Sequence, residues 1–132
     1  SYHNCSAYNN SSNGFALSSA SVINHCMSGA NTAAGFSCGT GCVFTGCTGY
    51  LNGTHGFITS SQGTLCDACS GSDNTADGFN GPFLLRGCNA YSNDGNGFDG
   101  VHVSTGSNSA GNTQITVING APAPVIADTR AV

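Results

Sequence analysis

Charged residues are scarce in this sequence of 132 residues: they make up 6% of it, and lysine, glutamate and tryptophan are absent. The only cations besides histidine are Arg86 and Arg130, and the formal net charge is −4 at pH 7. Nucleic acids and anionic membrane surfaces are bound largely through clusters of lysine and arginine. The sequence therefore argues against both partners.

Long apolar runs are missing as well. No stretch approaches the roughly 18 apolar residues of a membrane-spanning helix, and the chain does not start like a signal peptide. Glycine, serine, threonine and asparagine interrupt every window, so that no apolar stripe with helical spacing lasts more than about one turn. We therefore expect short β-strands and no membrane insertion.

The cysteine content favours an extracellular protein, because eight cysteines in a small polar chain are typical of oxidising compartments. Since the chain begins with Ser1 rather than Met, we expect a processed mature chain or a piece of a longer one. We expect it to be secreted or at the cell surface; a cytosolic protein with reduced cysteines is the alternative. The asparagines that begin N-x-Ser/Thr sequences, and are candidates for glycosylation in a secretory pathway, are Asn4, Asn9, Asn10 and Asn52.

One sequence motif, which we call the repeat motif, recurs five times with constant internal spacing: cysteine, four residues, asparagine, three residues, then Gly-Phe. The copies start 21, 21, 22 and 19 residues apart, so the variable loop lies between phenylalanine and the next cysteine. A fixed period of this length is typical of a solenoid. The copies are Cys5-Asn10-Phe15, Cys26-Asn31-Phe36, Cys47-Asn52-Phe57, Cys69-Asn74-Phe79 and Cys88-Asn93-Phe98.

The repeat predicts an all-β parallel β-helix of five to six coils, in which each short strand pairs with its copy about 4.8 Å away in the next coil. Cysteine, asparagine and phenylalanine then form three columns. The glycine before phenylalanine either has a positive φ or allows a close approach. The asparagine suits a bend, and stacked amides can hydrogen-bond to one another.

This pattern resembles the right-handed parallel β-helix proteins of the pectate-lyase-like superfamily, with their ladder of asparagines at one corner. The resemblance covers residues 1–98. It implies the fold and leaves the function open, because that superfamily includes lyases, hydrolases, phage spikes, adhesins and inert surface proteins. The domain boundaries expected are coils 1–15, 16–36, 37–57, 58–79 and 80–98, an atypical last coil 99–118 within one domain 1–118, and an extended proline-containing tail 119–132.

The second to fifth coils also have an apolar pair four and three residues before the repeat cysteine, such as Val22-Ile23 and Val43-Phe44. On a flat strand the two would point to opposite sides of the sheet. Either a bend places both inside, or one column faces outward as an apolar stripe and contact surface. The column considered for the outward position is Tyr2, Ile23, Phe44, Cys66 and Leu85.

The cysteines allow several interpretations. The five repeat cysteines can form a reduced, buried ladder that acts as small apolar filler. Of the other three, Cys42 and Cys66 precede the repeat cysteines of consecutive coils and are the best candidates for a disulfide. Zinc bound by Cys38, Cys42, Cys66 and Cys69 is a weaker alternative, because no second partner set has finger-like spacing.

Aspartates collect near the asparagine corner of coils four and five. Asp77, Asp94 and Asp99 are candidates for a calcium site, a glycosidase-type carboxylate pair is an alternative, and solvated corner acids are a third. The resemblance implies calcium and a basic residue in a lyase. There is no lysine, and Arg86 falls on another face, which speaks against lyase chemistry. Calcium is the only cofactor considered.

Two further sets of residues are predicted to lie on outward columns. Asp67 and Arg86 each stand two residues before a repeat cysteine in consecutive coils, so we expect a cross-coil ion pair. Tyr8, Tyr50 and Tyr91 each stand two residues before a repeat asparagine and could stack on sugars or on a neighbouring molecule.

Taken together, these features predict a secreted structural protein rather than an enzyme. We expect a homopolymer, either an extracellular filament or a surface assembly, in which β-helices stack end to end. The alternative is a carbohydrate-binding or polysaccharide lyase- or hydrolase-like domain that uses the acidic corner and the tyrosine face, with glycans or a polysaccharide as its partner.

Overall fold

The fold is seen in a computed structural model, which describes residues 1–112 and the backbone of residues 117–118 and 125–127. Every regular element in this part of the chain is a strand of two to four residues. In chain order the strands are β1 (Tyr2–His3), β2 (Ser6–Tyr8), β3 (Phe15–Leu17), β4 (Val22–Asn24), β5 (Met27–Gly29), β6 (Phe36–Cys38), β7 (Val43–Thr45), β8 (Thr48–Tyr50), β9 (Phe57–Thr59), β10 (Leu65–Asp67), β11 (Ser70–Ser72), β12 (Phe79–Asn80), β13 (Leu84–Arg86), β14 (Asn89–Tyr91), β15 (Phe98–Val101), β16 (Val103–Thr105), β17 (Asn108–Ala110), β18 (Val117–Ile118) and β19 (Val125–Ala127).

The strands form three parallel sheets, because each pairs with its copy one coil away. Sheet A contains β1, β4, β7, β10, β13 and β16; sheet B contains β2, β5, β8, β11, β14, β17 and β19; sheet C contains β3, β6, β9, β12, β15 and β18. The result is a parallel β-solenoid of about five turns with a period of about 21 residues. This confirms the predicted fold class. No helix in the described part of the chain is long and apolar enough to cross a membrane.

Stacked phenylalanine rings form the centre of the core. The ring centroids of Phe15, Phe36, Phe57 and Phe79 follow one another at 5.0, 4.9 and 4.7 Å, and Phe98 follows Phe79 at 5.5 Å. All but Phe15 in the first coil are fully buried. Burial stabilises the fold by about 2 kcal/mol per ring, so this column contributes much of the apolar free energy of folding.

The strands of sheet A show which residue of each apolar pair faces the core. Burial alternates along these strands, so one residue of each pair lies on either side of the sheet. Ile23, Phe44, Cys66 and Leu85 are buried, so the column considered for the outward position faces inward from coil two onward. The opposite column faces outward, with Val22 at 40% exposure and its register partners half-buried. This outward stripe consists of Val22, Val43, Leu65, Leu84 and Val103.

Single residues in the left-handed region turn the chain at both ends of each sheet B strand. The residue before each repeat asparagine has a positive φ: Asn9, Ala30, Leu51, Asp73 and Ser92, with φ between 54° and 57°. The residue before each repeat cysteine also has a positive φ; for example, φ is 51° at both His25 and Ala68. The bend that the sequence assigned to asparagine is therefore made one residue earlier, which leaves the asparagine side chain free for hydrogen bonds between coils.

The glycine before phenylalanine serves close packing and does not have a positive φ. A Cβ at Gly35 would lie 2.8 Å from the carbonyl oxygen of Gly56, and a Cβ at Gly56 would lie 2.7 Å from that of Gly78. Real Cβ atoms do not approach backbone oxygens so closely. Of the two roles predicted for this glycine, close approach is the correct one.

The solenoid continues beyond the last repeat. Val117–Ile118 pairs with Phe98–Val101, with a register shift between Asp99 and Val101, and Val125–Ala127 pairs with Asn108–Ala110. The segment 113–116 of the predicted last coil 99–118 lies outside the described residues. So does the rest of the predicted tail 119–132, including both of its prolines.

Candidate functional site

The asparagine corner is the most regular side-chain arrangement in the molecule. Oδ1 of Asn52 accepts two hydrogen bonds from Asn31, one from the main-chain N–H at 3.2 Å and one from the side-chain amide at 3.0 Å. The amide of Asn52 donates in turn to Oδ1 of Asn74 at 3.0 Å and to the carbonyl of Ser28 at 3.2 Å. Each buried amide thus uses two donors and two acceptor positions, so that none of its polar atoms pays the cost of burial without a partner.

The same geometry repeats at each coil boundary, and the predicted asparagine ladder is confirmed. Asn10 donates to Asn31, Asn74 to Asn93, and Asn93 to Asn112, with amide-to-oxygen distances of 2.8, 2.9 and 2.8 Å. Asn31, Asn52, Asn74, Asn93 and Asn112 are at most 2% exposed. We call Asn10, Asn31, Asn52, Asn74, Asn93 and Asn112 the asparagine ladder.

Asn112 is a member of the asparagine ladder that the repeat motif did not predict. The predicted last coil 99–118 is atypical because it has no cysteine and no Gly-Phe, yet Asn112 follows Ser107 by five residues, as each repeat asparagine follows its cysteine. Ser107 takes the place of cysteine and accepts the main-chain N–H of Cys88 at 3.1 Å. Counting 19 residues on from Cys88 and Asn93, the length of the preceding step, would have found both residues.

The cysteines lie in the core as free thiols. All eight are free, and all except Cys5 are buried. The predicted disulfide between Cys42 and Cys66 is therefore absent from the structure. Sheet A turns Cys66 into the apolar core in the column of Phe44 and Leu85, whereas the thiol of Cys42 donates to the carbonyl of Ser18 at 3.2 Å.

Burial keeps the thiols of Cys26, Cys38 and Cys66 protonated. It raises the pKa of Cys38 to about 12 and also raises the pKa of Cys26 and Cys66. The thiols donate to main-chain carbonyls, as Cys47 does to Ile23 at 3.4 Å. They therefore act as small apolar residues with a weak donor, and a ladder of cysteine side chains stays a prediction.

Asp77 is the buried acid of the predicted calcium corner, and the protein itself satisfies its carboxylate. The carboxylate accepts the main-chain N–H of Asn96 at 2.7 Å and the side-chain amide of Asn80 at 2.7 Å. Nδ1 of His55 lies 3.2 Å both from the carboxylate and from the N–H of Asp77. A neutral His55 accepts that N–H through an unprotonated Nδ1, whereas a histidine protonated there donates to the carboxylate.

These contacts set the charge state of Asp77. Burial raises its pKa, but the hydrogen bonds from His55, Asn80 and the Asn96 N–H together outweigh burial and hold the pKa below the usual 3.8. Asn13 occupies the corresponding position in the first coil and accepts the N–H of Ala34 at 3.0 Å. The Asp77 carboxylate therefore has a role like that of Asn13: it accepts the main-chain N–H of the next coil.

The other two predicted calcium ligands do not complete a site. Asp99 is linked to Asp77 only through Asn80, whose amide lies 3.2 Å from Asp99 Oδ2, and Asp94 is exposed. Among the described residues, no group of three or more His, Cys, Asp or Glu side chains is arranged to hold a metal ion. The prediction that Asp77, Asp94 and Asp99 form such a group was wrong, because Asp77 faces the amides of its own corner.

The structure brings Asp67 and Arg86 together on the outer face of sheet A. They are register partners, and the guanidinium donates from both Nε, at 3.1 Å, and Nη2 to the two carboxylate oxygens. Arg86 lowers the pKa of Asp67, and Asp67 raises that of Arg86. The pair lies at the surface, with Arg86 exposed and Asp67 half-buried, so it reports the register of the coils more than it stabilises them.

The tyrosines predicted to face outward lie in one column of sheet B. Tyr8 is 39% exposed, Tyr91 is 46% exposed and Tyr50 is half-buried. From the first coil to the fifth, the column consists of Tyr8, Gly29, Tyr50, Ser72 and Tyr91. The rings of Tyr8 and Tyr50 meet edge to face at a centroid distance of 6.1 Å. The exposed side chain of Met27 lies on the same face.

The candidate glycosylation residues differ in accessibility. Asn4, Asn9 and Asn10 are exposed in the first coil. Asn52 is 1% exposed and uses its amide within the asparagine ladder, so its side chain is not accessible in the folded protein. Glycosylation of Asn4 and Asn9 stays a prediction.

Fold and corner together define the chain as a parallel β-solenoid with a buried asparagine ladder. Comparison with known proteins gives no match to a family model, to a curated protein or to a solved structure.

Proposed function

We propose that this chain is the structural subunit of an extracellular assembly in which β-solenoids associate end to end. The observation that carries the proposal is the composition of the face at the first coil. There the columns that are buried elsewhere come to the surface: Cys5 and Asn10 are exposed and Phe15 is half-buried, whereas their copies in the second coil are almost fully buried.

The polar groups on this face match those that the coils use between themselves. Asn10 gives its main-chain N–H and side-chain amide to Asn31, and within the described part of the chain no group donates to Oδ1 of Asn10. An incoming coil with an asparagine at the same corner would donate two hydrogen bonds there. Strands β1, β2 and β3 each have a neighbour on one side only, so their outer edges can pair with another chain.

Apolar contact would add to these hydrogen bonds. The ring of Phe15 stacks on that of Phe36 with an angle of 8° between the ring planes. The rings of Tyr2 and Phe15 meet edge to face at a centroid distance of 5.9 Å. A further ring placed on Phe15 would extend the phenylalanine column.

Membership of the right-handed pectate-lyase-like superfamily belongs to the same proposal. It is supported by the asparagine ladder at one corner of a parallel solenoid with three sheets. We propose no catalytic activity, and secretion rests on the number of cysteines and on the exposed N-x-Ser/Thr sequences at Asn4 and Asn9.

The test is electron microscopy and sedimentation velocity of the 132-residue chain over a range of concentrations, with one variant at the end face and one on the side. Cys5→Asp places a carboxylate where an incoming coil would bury it without a partner. Val22→Asp places the same charge on the outer face of sheet A.

We expect filaments from the wild type and from Val22→Asp, with a repeat along the solenoid axis that fits coils about 4.8 Å apart, and monomers from Cys5→Asp. Circular dichroism checks that each variant is folded. A wild type that stays monomeric at high concentration, or a folded Cys5→Asp that assembles normally, would refute end-to-end association.

Carbohydrate binding by the outer face of sheet B is the second candidate function. The observation in its favour is the contact between the exposed ring of Tyr8 and the half-buried ring of Tyr50, because aromatic rings at a surface can stack on sugars. The acidic corner no longer supports it, since Asp77 is occupied by amides of the protein. Titration calorimetry with neutral oligosaccharides tests it, and Tyr8→Ala should abolish any binding found.

A further inference from the structure

Tyr8 and Tyr50 stand two coils apart, and Gly29 in the coil between them allows their rings to meet. A Cβ added to Gly29 would lie 2.9 Å from Cε1 of Tyr50 and 3.1 Å from Cε1 of Tyr8. Because both atoms lie about 3 Å from one point, they are at most about 6 Å apart. Cε1 is ortho to the phenol oxygen, which is the ring position where tyrosyl radicals couple.

The next pair in the same column provides a comparison within the molecule. Tyr50 and Tyr91 are also two coils apart, but Ser72 lies between them instead of glycine. Tyr50 turns to Tyr8, with which it forms the edge-to-face contact. The neighbouring phenol of Tyr50 also raises the pKa of Tyr8. The rings and ortho carbons are therefore close together in the Tyr8–Tyr50 pair.

We propose that Tyr8 and Tyr50 are a modification site, which a peroxidase-class oxidant using hydrogen peroxide converts into an intrachain dityrosine cross-link. Each phenol loses one electron and one proton to give a phenoxyl radical. The two radicals form a carbon–carbon bond between their ε carbons, and the hydrogen on each of these carbons moves to its phenol oxygen. Two tyrosines and one hydrogen peroxide give one dityrosine and two waters.

The cross-link would join the first coil to the third, across 42 residues of sequence. Tyr8 is in the coil whose end face is exposed, so the bond would hold that coil against local unfolding. Both rings lie on the side of the solenoid, and the bond leaves the end face of the first coil unchanged. The modification is therefore independent of end-to-end association.

The experiment oxidises the full chain with horseradish peroxidase and hydrogen peroxide at low protein concentration. The exposed thiol of Cys5 is alkylated first, so that it does not react with the radicals. Dityrosine fluorescence of the monomer fraction gives the yield, and mass spectrometry of peptides identifies the linked residues. The variants are Tyr8→Phe, Tyr50→Phe, Gly29→Ala and, as the matched control, Tyr91→Phe.

We expect a Tyr8–Tyr50 link in the monomer, a loss of at least tenfold in its yield in Tyr8→Phe and Tyr50→Phe, and no loss in Tyr91→Phe. Gly29→Ala should reduce the yield severalfold, because its Cβ pushes the two rings apart while both tyrosines remain. The proposal fails if monomeric dityrosine persists in Tyr8→Phe, if links form only between molecules, or if Gly29→Ala couples as well as the wild type.

Discussion

Oδ1 of Asn112 accepts both the main-chain N–H and the side-chain amide of Asn93, at 2.9 and 2.8 Å. The amide of Asn112 donates to the carbonyl of Ala90 at 3.1 Å, as each earlier buried member of the ladder donates one coil back. Every coil therefore supplies the acceptor for the coil before it. The asparagine ladder therefore sets the spacing and register of neighbouring coils at one corner through hydrogen bonds. Stacked phenylalanine rings supply no such directional contact.

The interior of the asparagine ladder should tolerate substitution less well than its exposed end. In Asn52→Ala the N–H of Asn31 and the carbonyl of Ser28 lose their Asn52 partners inside the protein. We expect a loss of about 2–4 kcal/mol in the free energy of unfolding, because an unpaired buried group costs about 1–3 kcal/mol.

Asn10→Ala is the matched control, since water can replace its hydrogen bonds at the exposed coil, and we expect a loss of about 1 kcal/mol or less. Urea unfolding monitored by circular dichroism measures both variants. Equal losses would show that burial of the asparagine ladder has no energetic role.

Two glycines with different roles give a second prediction. Gly56→Ala puts a Cβ 2.7 Å from the carbonyl oxygen of Gly78 and 3.0 Å from that of Gly49, so the backbone of two adjacent coils must shift. We expect a loss of about 3 kcal/mol in the free energy of unfolding, at the upper end of the usual cost of overpacking.

Gly87→Ala should cost only about 1 kcal/mol, the strain of a left-handed alanine. Gly87 has a φ of 59° and nothing within 4 Å of an added Cβ, and Ala68 already occupies the same position one coil earlier. Urea unfolding compares the two variants. If Gly87→Ala is the more damaging, positive φ and not close packing limits these corners.

The architecture could be predicted from the sequence because like residues recur at a constant spacing. A parallel solenoid places such residues on one another, so Cys-x4-Asn-x3-Gly-Phe was enough to predict the stacking of Phe36 on Phe57 and the hydrogen bond from Asn31 to Asn52. The same register places Asp67 beside Arg86. These relationships depend only on coil length.

Details that depend on side-chain direction could not be predicted. Both positions of the pairs in sheet A are apolar, so hydropathy did not show which column is buried; the strand puts Ile23 inside and Val22 outside. Asn112 was not predicted, because its coil has Ser107 in place of the cysteine and lacks Gly-Phe. The partners of Asp77 depend on the path of the corner, where the Asn96 N–H points at the carboxylate.

Asp77 should make the stability of the protein sensitive to acid. Its pKa in the folded state lies below the usual 3.8, because the donors around the carboxylate outweigh burial. A group of this kind stabilises the fold above the unfolded-state pKa, and its contribution disappears as the pH falls through the folded-state value. The free energy of unfolding should therefore fall below about pH 4 in the wild type and less steeply in Asp77→Asn, which cannot ionise.

Urea unfolding between about pH 6 and pH 2.5 measures this difference, with Asp94→Asn as the control for an exposed corner aspartate. Asp94→Asn should follow the wild-type curve. Asp77→Asn should also be less stable than the wild type at neutral pH, because an amide is a weaker acceptor than a carboxylate for the Asn96 N–H and cannot accept from Asn80 as strongly. If Asp77→Asn and the wild type lose stability in parallel as the pH falls, Asp77 does not hold its corner through its charge, and its position would then be explained by shape alone.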